Sequence, residues 1–145
     1  WAAFSLAATV LQAALVAGGA VSRVALAVGD ARIAAALLIL AAAWQLSPLK
    51  QACLGRCRSP ARFLSEHWRP GAAGALRLGA WHGFYCIGCC WALMLLLFVG
   101  GVMSIAWIGG LALLVLVEKL APARLPVRAA TGVGLLIAGM ALALS

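Results

Sequence analysis

Five cysteines and a histidine in the middle of the chain have residue types and spacing that suit metal binding. Thiolates and imidazoles are soft ligands, which favour copper(I), zinc or an iron–sulfur centre over hard cations. A thioether is also a copper(I) ligand, and Met94 follows the last cysteine by one helical turn. We therefore predict a bound transition metal ion, with copper favoured over zinc. The predicted ligands are Cys53, Cys57, His82, Cys86, Cys89 and Cys90.

The second cysteine group has a helical register. At about 100° per residue, His82, Cys86 and Cys89 fall within about 60° of one another on a helix. Cys53 and Cys57 share a face if their own segment is helical. Because the two groups lie at the ends of consecutive membrane helices, at the same predicted depth, a common site requires only that the intervening loop folds back.

Other roles for these side chains remain open from the sequence. Cysteine is often buried as a small apolar residue, and the adjacent Cys89 and Cys90 do not both bind one ion easily. Disulfides are another alternative, although the predicted compartment is reducing. Glu118 lies at a predicted membrane end, where we expect it to pair with an arginine of the 50–77 loop, with metal ligation as the alternative.

Membrane helices must position these residues, because the composition excludes a soluble fold. Hydrophobic residues make up 66% of the chain and charged residues 10%, against about 45–50% and about 25% in ordinary soluble domains. A chain of 145 residues has too high a surface-to-volume ratio to bury that much apolar surface in water. A lipid bilayer can solvate it.

Uncharged runs mark the expected membrane spans. A span needs about 20 residues, and the run 78–117 holds two spans with a natural break at Gly100-Gly101 and an N-cap at Ser104. The prediction is a single all-α domain over 1–145, a polytopic transmembrane helix bundle. We expect missing upstream sequence, because the chain begins at Trp1. The five predicted membrane helices span about 2–22, 32–49, 82–99, 103–120 and 127–144.

One amphipathic helix is predicted within the 50–80 loop. Pro48 should end or kink the second helix because it lacks a backbone donor, and helix can resume through Leu49–Leu54. Ser59-Pro60 has the pattern of an N-cap followed by proline at the first helical position, which predicts a short helix to about Trp68. Its separate apolar and charged faces suit the membrane interface.

The basic residues predict the orientation in the membrane. With five helices, nine of the eleven Lys and Arg residues lie on one side, in the segments 50–77 and 118–128. The positive-inside rule places that side in the cytoplasm. This topology and attraction to anionic headgroups account for the net charge of +8. The predicted partner is therefore the lipid bilayer and not nucleic acid.

Long stretches of the chain resemble a known family. The strings QLSPLKQACLGRCRSP, WRPGAAGALRLGAWHGFYCIGCCWALMLLLFVGGVM and LLVLVEKLAP are similar to an uncharacterised bacterial family of predicted metal-binding integral membrane proteins, the domain of unknown function 2182. The resemblance extends from about Trp44 to Pro122. It implies metal binding and a multi-pass location in the bacterial inner membrane. It also implies further methionine-rich membrane sequence upstream.

Three functions fit these features. The first is a membrane protein that binds or delivers a soft metal ion at the cytoplasmic face. The second is a structural or accessory subunit of a larger membrane complex, supported by small-residue faces that let partner helices or further copies in a homo-oligomer approach closely. The third is a thiol redox protein that uses Cys86 and Cys89. With three acidic residues in the chain, hydrolytic chemistry is not expected, and an enzyme is the less favoured reading.

Overall fold

The computed structural model describes residues 2–22, 26–122 and 125–144. Arg23 and Arg124, which enter the charge distribution above, lie outside the described residues. Within those ranges the chain is helical, which confirms the all-α prediction, and an isolated bridge pairs Val21 with Val28. The helices are α1 Ala2–Ala17, α2 Ala31–Leu46, α3 Pro48–Cys57, α4 Pro60–His67, α5 Ala72–Leu95, α6 Leu97–Gly100, α7 Ile105–Leu120 and α8 Val127–Leu144.

A sharp break separates α2 from α3. Ser47 adopts an extended conformation, and its hydroxyl accepts a hydrogen bond from the Leu49 backbone N–H at 3.1 Å, so it caps α3. Pro48 occupies the first turn of α3, where a missing N–H removes no helical hydrogen bond. The two helices meet at an angle of 67°. The predicted resumption of helix after Pro48 is confirmed, and the helix continues to Cys57.

The segment between α3 and the cysteine-bearing part of α5 is largely helical. The short amphipathic helix is confirmed as α4, with Phe63 buried and Arg62 exposed. The predicted start of the next helix near residue 82 is wrong, because α5 begins at Ala72. Gly71 before it has a φ of 88°, which favours glycine. The alanine-rich sequence that follows favours helix, so no loop separates Gly71 from the cysteines.

The predicted break at Gly100-Gly101 is confirmed. Gly101 has a φ of 83°, in the left-handed region that ends a helix. Ser104 then caps α7, accepting a hydrogen bond from the Trp107 backbone N–H at 3.4 Å. The indole Nε1 of Trp107 donates to the carbonyl of Leu96 at 2.8 Å and closes the turn between α5 and α7.

The described residues contain two helical stretches that are long and apolar enough to cross a membrane, Ala72–Gly100 and Val127–Leu144. The bent pair α2 and α3 forms a third candidate if both helices belong to one span. Five membrane helices are therefore more than the described structure supports. α1 and α7 have 16 residues each, shorter than the roughly 20 that a span needs. α1 ends before Gly19, whose φ of 75° interrupts the helix.

The helices α2 and α8 pack closely against each other. A Cβ atom added at Gly139 would lie 2.9 Å from Cγ1 of Ile39, and one added at Gly132 would lie 2.8 Å from Cδ2 of Leu46. Both glycines therefore let the helices approach each other inside the chain. The apolar core between α2, α5 and α7 consists of Leu38, Ala41, Ala92, Leu93, Leu96 and Leu111.

Candidate metal centre

Cysteines from α3 and α5 meet in one buried cluster. Cys89 and Cys90 are 2% and 3% exposed, and Cys53 and Cys57 pack against them from the neighbouring helix. Met94 packs against the same cluster. α3 lies along α5 because the break after Ser47 turns the chain back. The fold thus brings together four of the six residues that the sequence singled out.

The sulfur atoms of this cluster are close neighbours. Cys89 and Cys90 form the buried part of the cluster, and Cys57 packs against them from α3. The Cys53 Sγ lies 3.1 Å from the position that a Cβ atom on Gly88 would occupy, so α3 approaches α5 where α5 has no side chain. All five cysteines of the chain are free thiols. The cluster therefore presents reduced sulfur from two helices to one small volume.

Cys86 faces a different neighbour. Its backbone carbonyl accepts hydrogen bonds from the Cys89 and Cys90 thiols, at 3.1 Å and 3.0 Å. Its own Sγ accepts a hydrogen bond from Nζ of Lys119, on α7, at 3.2 Å. Lys119 is not among the ligands predicted from the sequence. The signal that was present is its position beside Glu118, at the same predicted membrane depth as the cysteines.

His82 lies at the outer end of the cysteine stripe, away from the sulfur cluster. Its ring is 5.4 Å from that of Phe63, centroid to centroid, and Phe63 stacks on His67 at 4.7 Å. The Nδ1 atom of His82 is buried and has no hydrogen-bond partner within the described part of the chain. His82 therefore keeps a nitrogen free beside α4, one turn before Cys86.

A buried ion pair lies next to the cluster. The Lys50 Nζ is 2.7 Å from Oε2 of Glu118, and their side chains are 0% and 3% exposed. The Gln45 amide donates to the Glu118 carboxylate and accepts from Lys50. The predicted side-chain pairing of Glu118 with an arginine is wrong. Arg58 instead donates to the Glu118 backbone carbonyl, at 3.0 Å and 2.5 Å. The carboxylate instead pairs with Lys50, which lies in the first turn of α3, directly after the helix break.

An arginine from α8 forms hydrogen bonds with the backbone at the break between α2 and α3. The Arg128 Nη1 donates to the carbonyls of Gln45 and Ser47, at 2.8 Å and 3.2 Å. The last carbonyls of a helix lack intrahelical partners, so a guanidinium at this point satisfies groups that burial would otherwise leave unpaired. The turn that directs α3 toward the cysteines is thus fixed by contacts from α7 and α8.

The cluster has donor atoms that suit a soft metal ion. No group of three His, Cys, Asp or Glu side chains among the described residues is arranged to hold a metal ion. Thiolate and thioether sulfur select copper(I) and other soft ions. The buried thiols together with Met94 fit copper(I) in donor type.

A family comparison bears on the choice of metal. The model of the PpoB2 family, described as copper chaperone, matches residues 1–142. The chain belongs to this copper chaperone family. The metal-related part of the resemblance drawn from the sequence is thereby supported, whereas the match does not confirm the name domain of unknown function 2182. No curated protein and no solved structure matches the chain.

Membership in the copper chaperone family supports copper handling by this chain. Among the soft ions that the sequence left open, the family therefore favours copper. The structure adds Lys119 to the predicted ligands and places Met94, already named as a possible copper(I) ligand, beside them. Met94 packs on the cysteine cluster, and Lys119 contacts the stripe from α7. The contact of Lys119 with Cys86 depends on which helix packs against the cysteines, and the sequence does not show that.

Proposed function

We propose that this chain is an integral membrane copper-binding protein that holds copper(I) between α3 and α5 and delivers it to a partner. The observation that supports the proposal most is the burial of Cys89 and Cys90 with Cys53, Cys57 and Met94 packed against them. Soft sulfur donors of this kind select copper(I) over hard cations. The copper chaperone family match supports the same metal.

Within this proposal the cysteines have different roles. Cys57 and Cys89 are the principal ligands, because they come from different helices and pack in one cluster. Cys53 and Cys90 lie in the same cluster and complete the sulfur environment. Cys86 and His82 remain predicted ligands, about one and two helical turns before Cys89 on α5.

Delivery is favoured over passage through the membrane. A pathway would need polar or soft side chains through the apolar core, and the sequence offers Thr9, Gln12 and Met94 for this. The Thr9 hydroxyl donates to the Ser5 carbonyl of its own helix at 2.8 Å, so it is already satisfied locally. Met94 packs on the cysteine cluster. A continuous line of ligands across the bundle is therefore not supported.

The proposed location is the bacterial inner membrane, with the 50–77 segment at the cytoplasmic face. The basic residues of that segment support this orientation through the positive-inside rule, and free thiols suit a reducing compartment. A membrane partner or a second copy has a surface available on α7. A Cβ atom at Gly109 or Gly110 would meet nothing within 4 Å, which permits close approach of another helix.

The test is copper(I) affinity of the detergent-purified chain, measured anaerobically by competition with a chromogenic chelator. Loss of an outer-shell partner typically costs about 10–100-fold in metal affinity, so Cys57→Ser and Cys89→Ser should each cost at least about 100-fold. Met103→Leu is the control, because Met103 is 66% exposed. A wild-type chain that takes up no copper, or serine variants that bind it as tightly as wild type, would contradict the proposal.

A further inference from the structure

Lys119 brings a positive charge to the cysteine cluster from a third helix. Its Nζ is 3.2 Å from the Cys86 Sγ, and the Cys86 carbonyl accepts hydrogen bonds from the thiols of Cys89 and Cys90. The side chain is half-buried at the end of α7. A buried charge interacts more strongly than an exposed one, because water screens it less. Lys119 is therefore an electrostatic part of the cluster.

The other cations near the cluster each have a partner of their own. Lys50 is paired with Glu118 at 2.7 Å, so the two contribute little net charge. Arg56 is exposed and donates to the Tyr85 hydroxyl at 3.1 Å. Arg58 points its guanidinium at a backbone carbonyl. The charge of Lys119 is thus left without an acidic partner among the described residues.

Copper(I) binding to two thiols creates a charge that Lys119 can offset. Two S–H bonds break, two Cu–S bonds form and both protons pass to water, while copper stays copper(I) and no electron is transferred. The resulting dithiolate complex carries one unit of negative charge. Net charge is costly in an apolar helix bundle unless it is paired. With the Lys119 ammonium beside it, the copper(I) assembly is neutral.

A divalent ion gives the opposite result. Zinc(II) with the same two thiolates forms a neutral complex, so the Lys119 ammonium would remain as an unpaired buried cation. We propose that Lys119 is a specificity-determining residue that favours a monovalent soft cation over a divalent one at the cysteine cluster. This inference rests on the proposed copper function, since it assumes that Cys57 and Cys89 bind the ion.

The test compares affinities of the full detergent-purified chain for copper(I), silver(I) and zinc(II). In Lys119→Met the affinity for copper(I) and silver(I) should fall about tenfold or more, and that for zinc(II) should rise, because opposite charges a few ångströms apart attract strongly where water screens them little. Lys119→Arg keeps the charge and should keep the wild-type preference. Arg56→Met removes an exposed cation from α3 and should change the copper(I)-to-zinc(II) ratio less than about twofold.

Lys119→Gln is measured in parallel, because it keeps a hydrogen-bond donor to Cys86 but removes the charge. Lys119→Gln should change the copper(I) and zinc(II) affinities in the same directions as Lys119→Met. The inference therefore stays testable even if the methionine variant misfolds. An unchanged ratio of copper(I) to zinc(II) affinity in Lys119→Gln, including an equal fall in both, would overturn the inference and leave Lys119 a structural role. A wild-type chain that binds no copper(I) would instead overturn the proposed function itself.

Discussion

The indole Nε1 of Trp44 donates a hydrogen bond to the backbone carbonyl of Gly88 at 3.0 Å. This bond joins α2 to α5 immediately before Cys89. Gly88 is also the point where the Cys53 Sγ approaches α5 from the other side. Three helices therefore converge on a residue without a side chain, and the separation of the two cysteine groups depends on that residue remaining small.

Gly88→Ala should weaken copper(I) binding. A Cβ atom there would lie 3.1 Å from the Cys53 Sγ, so the thiol must shift by a few tenths of an ångström. Gly83→Ala is the matched control, since a Cβ atom at Gly83 meets nothing within 4 Å. Both changes favour helix by up to about 1 kcal/mol, so a difference between them reflects the contact. Chelator competition should show several-fold lower affinity for the first variant only, and equal affinities would exclude this role for Gly88.

Met94→Leu should lower copper(I) affinity by about tenfold if the thioether contributes to the site. Leucine has a similar volume, so the change in unfolding free energy should stay below about 1.5 kcal/mol. Met103→Leu removes a thioether that is 66% exposed and should leave affinity unchanged. X-ray absorption at the copper edge would report the loss of a sulfur neighbour directly. Identical spectra for wild type and Met94→Leu would show that Met94 only fills space.

Breaking the buried ion pair should destabilise the fold. Glu118→Gln leaves the Lys50 ammonium buried without its carboxylate, which typically costs about 3–5 kcal/mol. The double variant Lys50→Met with Glu118→Leu should recover part of that loss, because it removes both charges. Thermal unfolding in detergent measures each. The exposed pair Arg62–Glu66, at 2.8 Å, is the control, and Glu66→Gln should not change the midpoint measurably. If the double variant loses as much stability as the sum of its two single substitutions, Lys50 and Glu118 do not stabilise the fold by direct pairing.

Gly139→Ala should loosen the contact between α2 and α8. Its Cβ atom would lie 3.2 Å from the Ile39 backbone nitrogen as well as 2.9 Å from Cγ1, and backbone cannot rotate aside. Overpacking of this kind costs about 1–3 kcal/mol. Gly134→Ala, on the same helix, meets nothing within 4 Å and should be neutral or slightly stabilising. If thermal unfolding in detergent gives the same midpoint for both variants, the glycine does not control this packing.

The sequence by itself determined the features that depend on composition and on neighbouring residues. The high apolar fraction predicted apolar helices, and two described stretches are long enough to cross a membrane. Ser47-Pro48, Gly101 and Ser104 ended or began helices where their local chemistry requires. The spacing of Cys86 and Cys89 predicted that they lie on one face of a helix. Local signals did not fix how far a helix extends, which is why α5 begins well before its predicted start.

Only the tertiary structure decided which distant side chains meet. Lys50 and Glu118 are 68 residues apart, and their pairing depends on the bend after Ser47 and on the approach of α7. The contact of Lys119 with Cys86 arises in the same way, across 33 residues. From charge alone, an arginine and a lysine are equally suitable partners for Glu118. Such pairings are decided by the relative positions of packed helices, which no short stretch of sequence specifies.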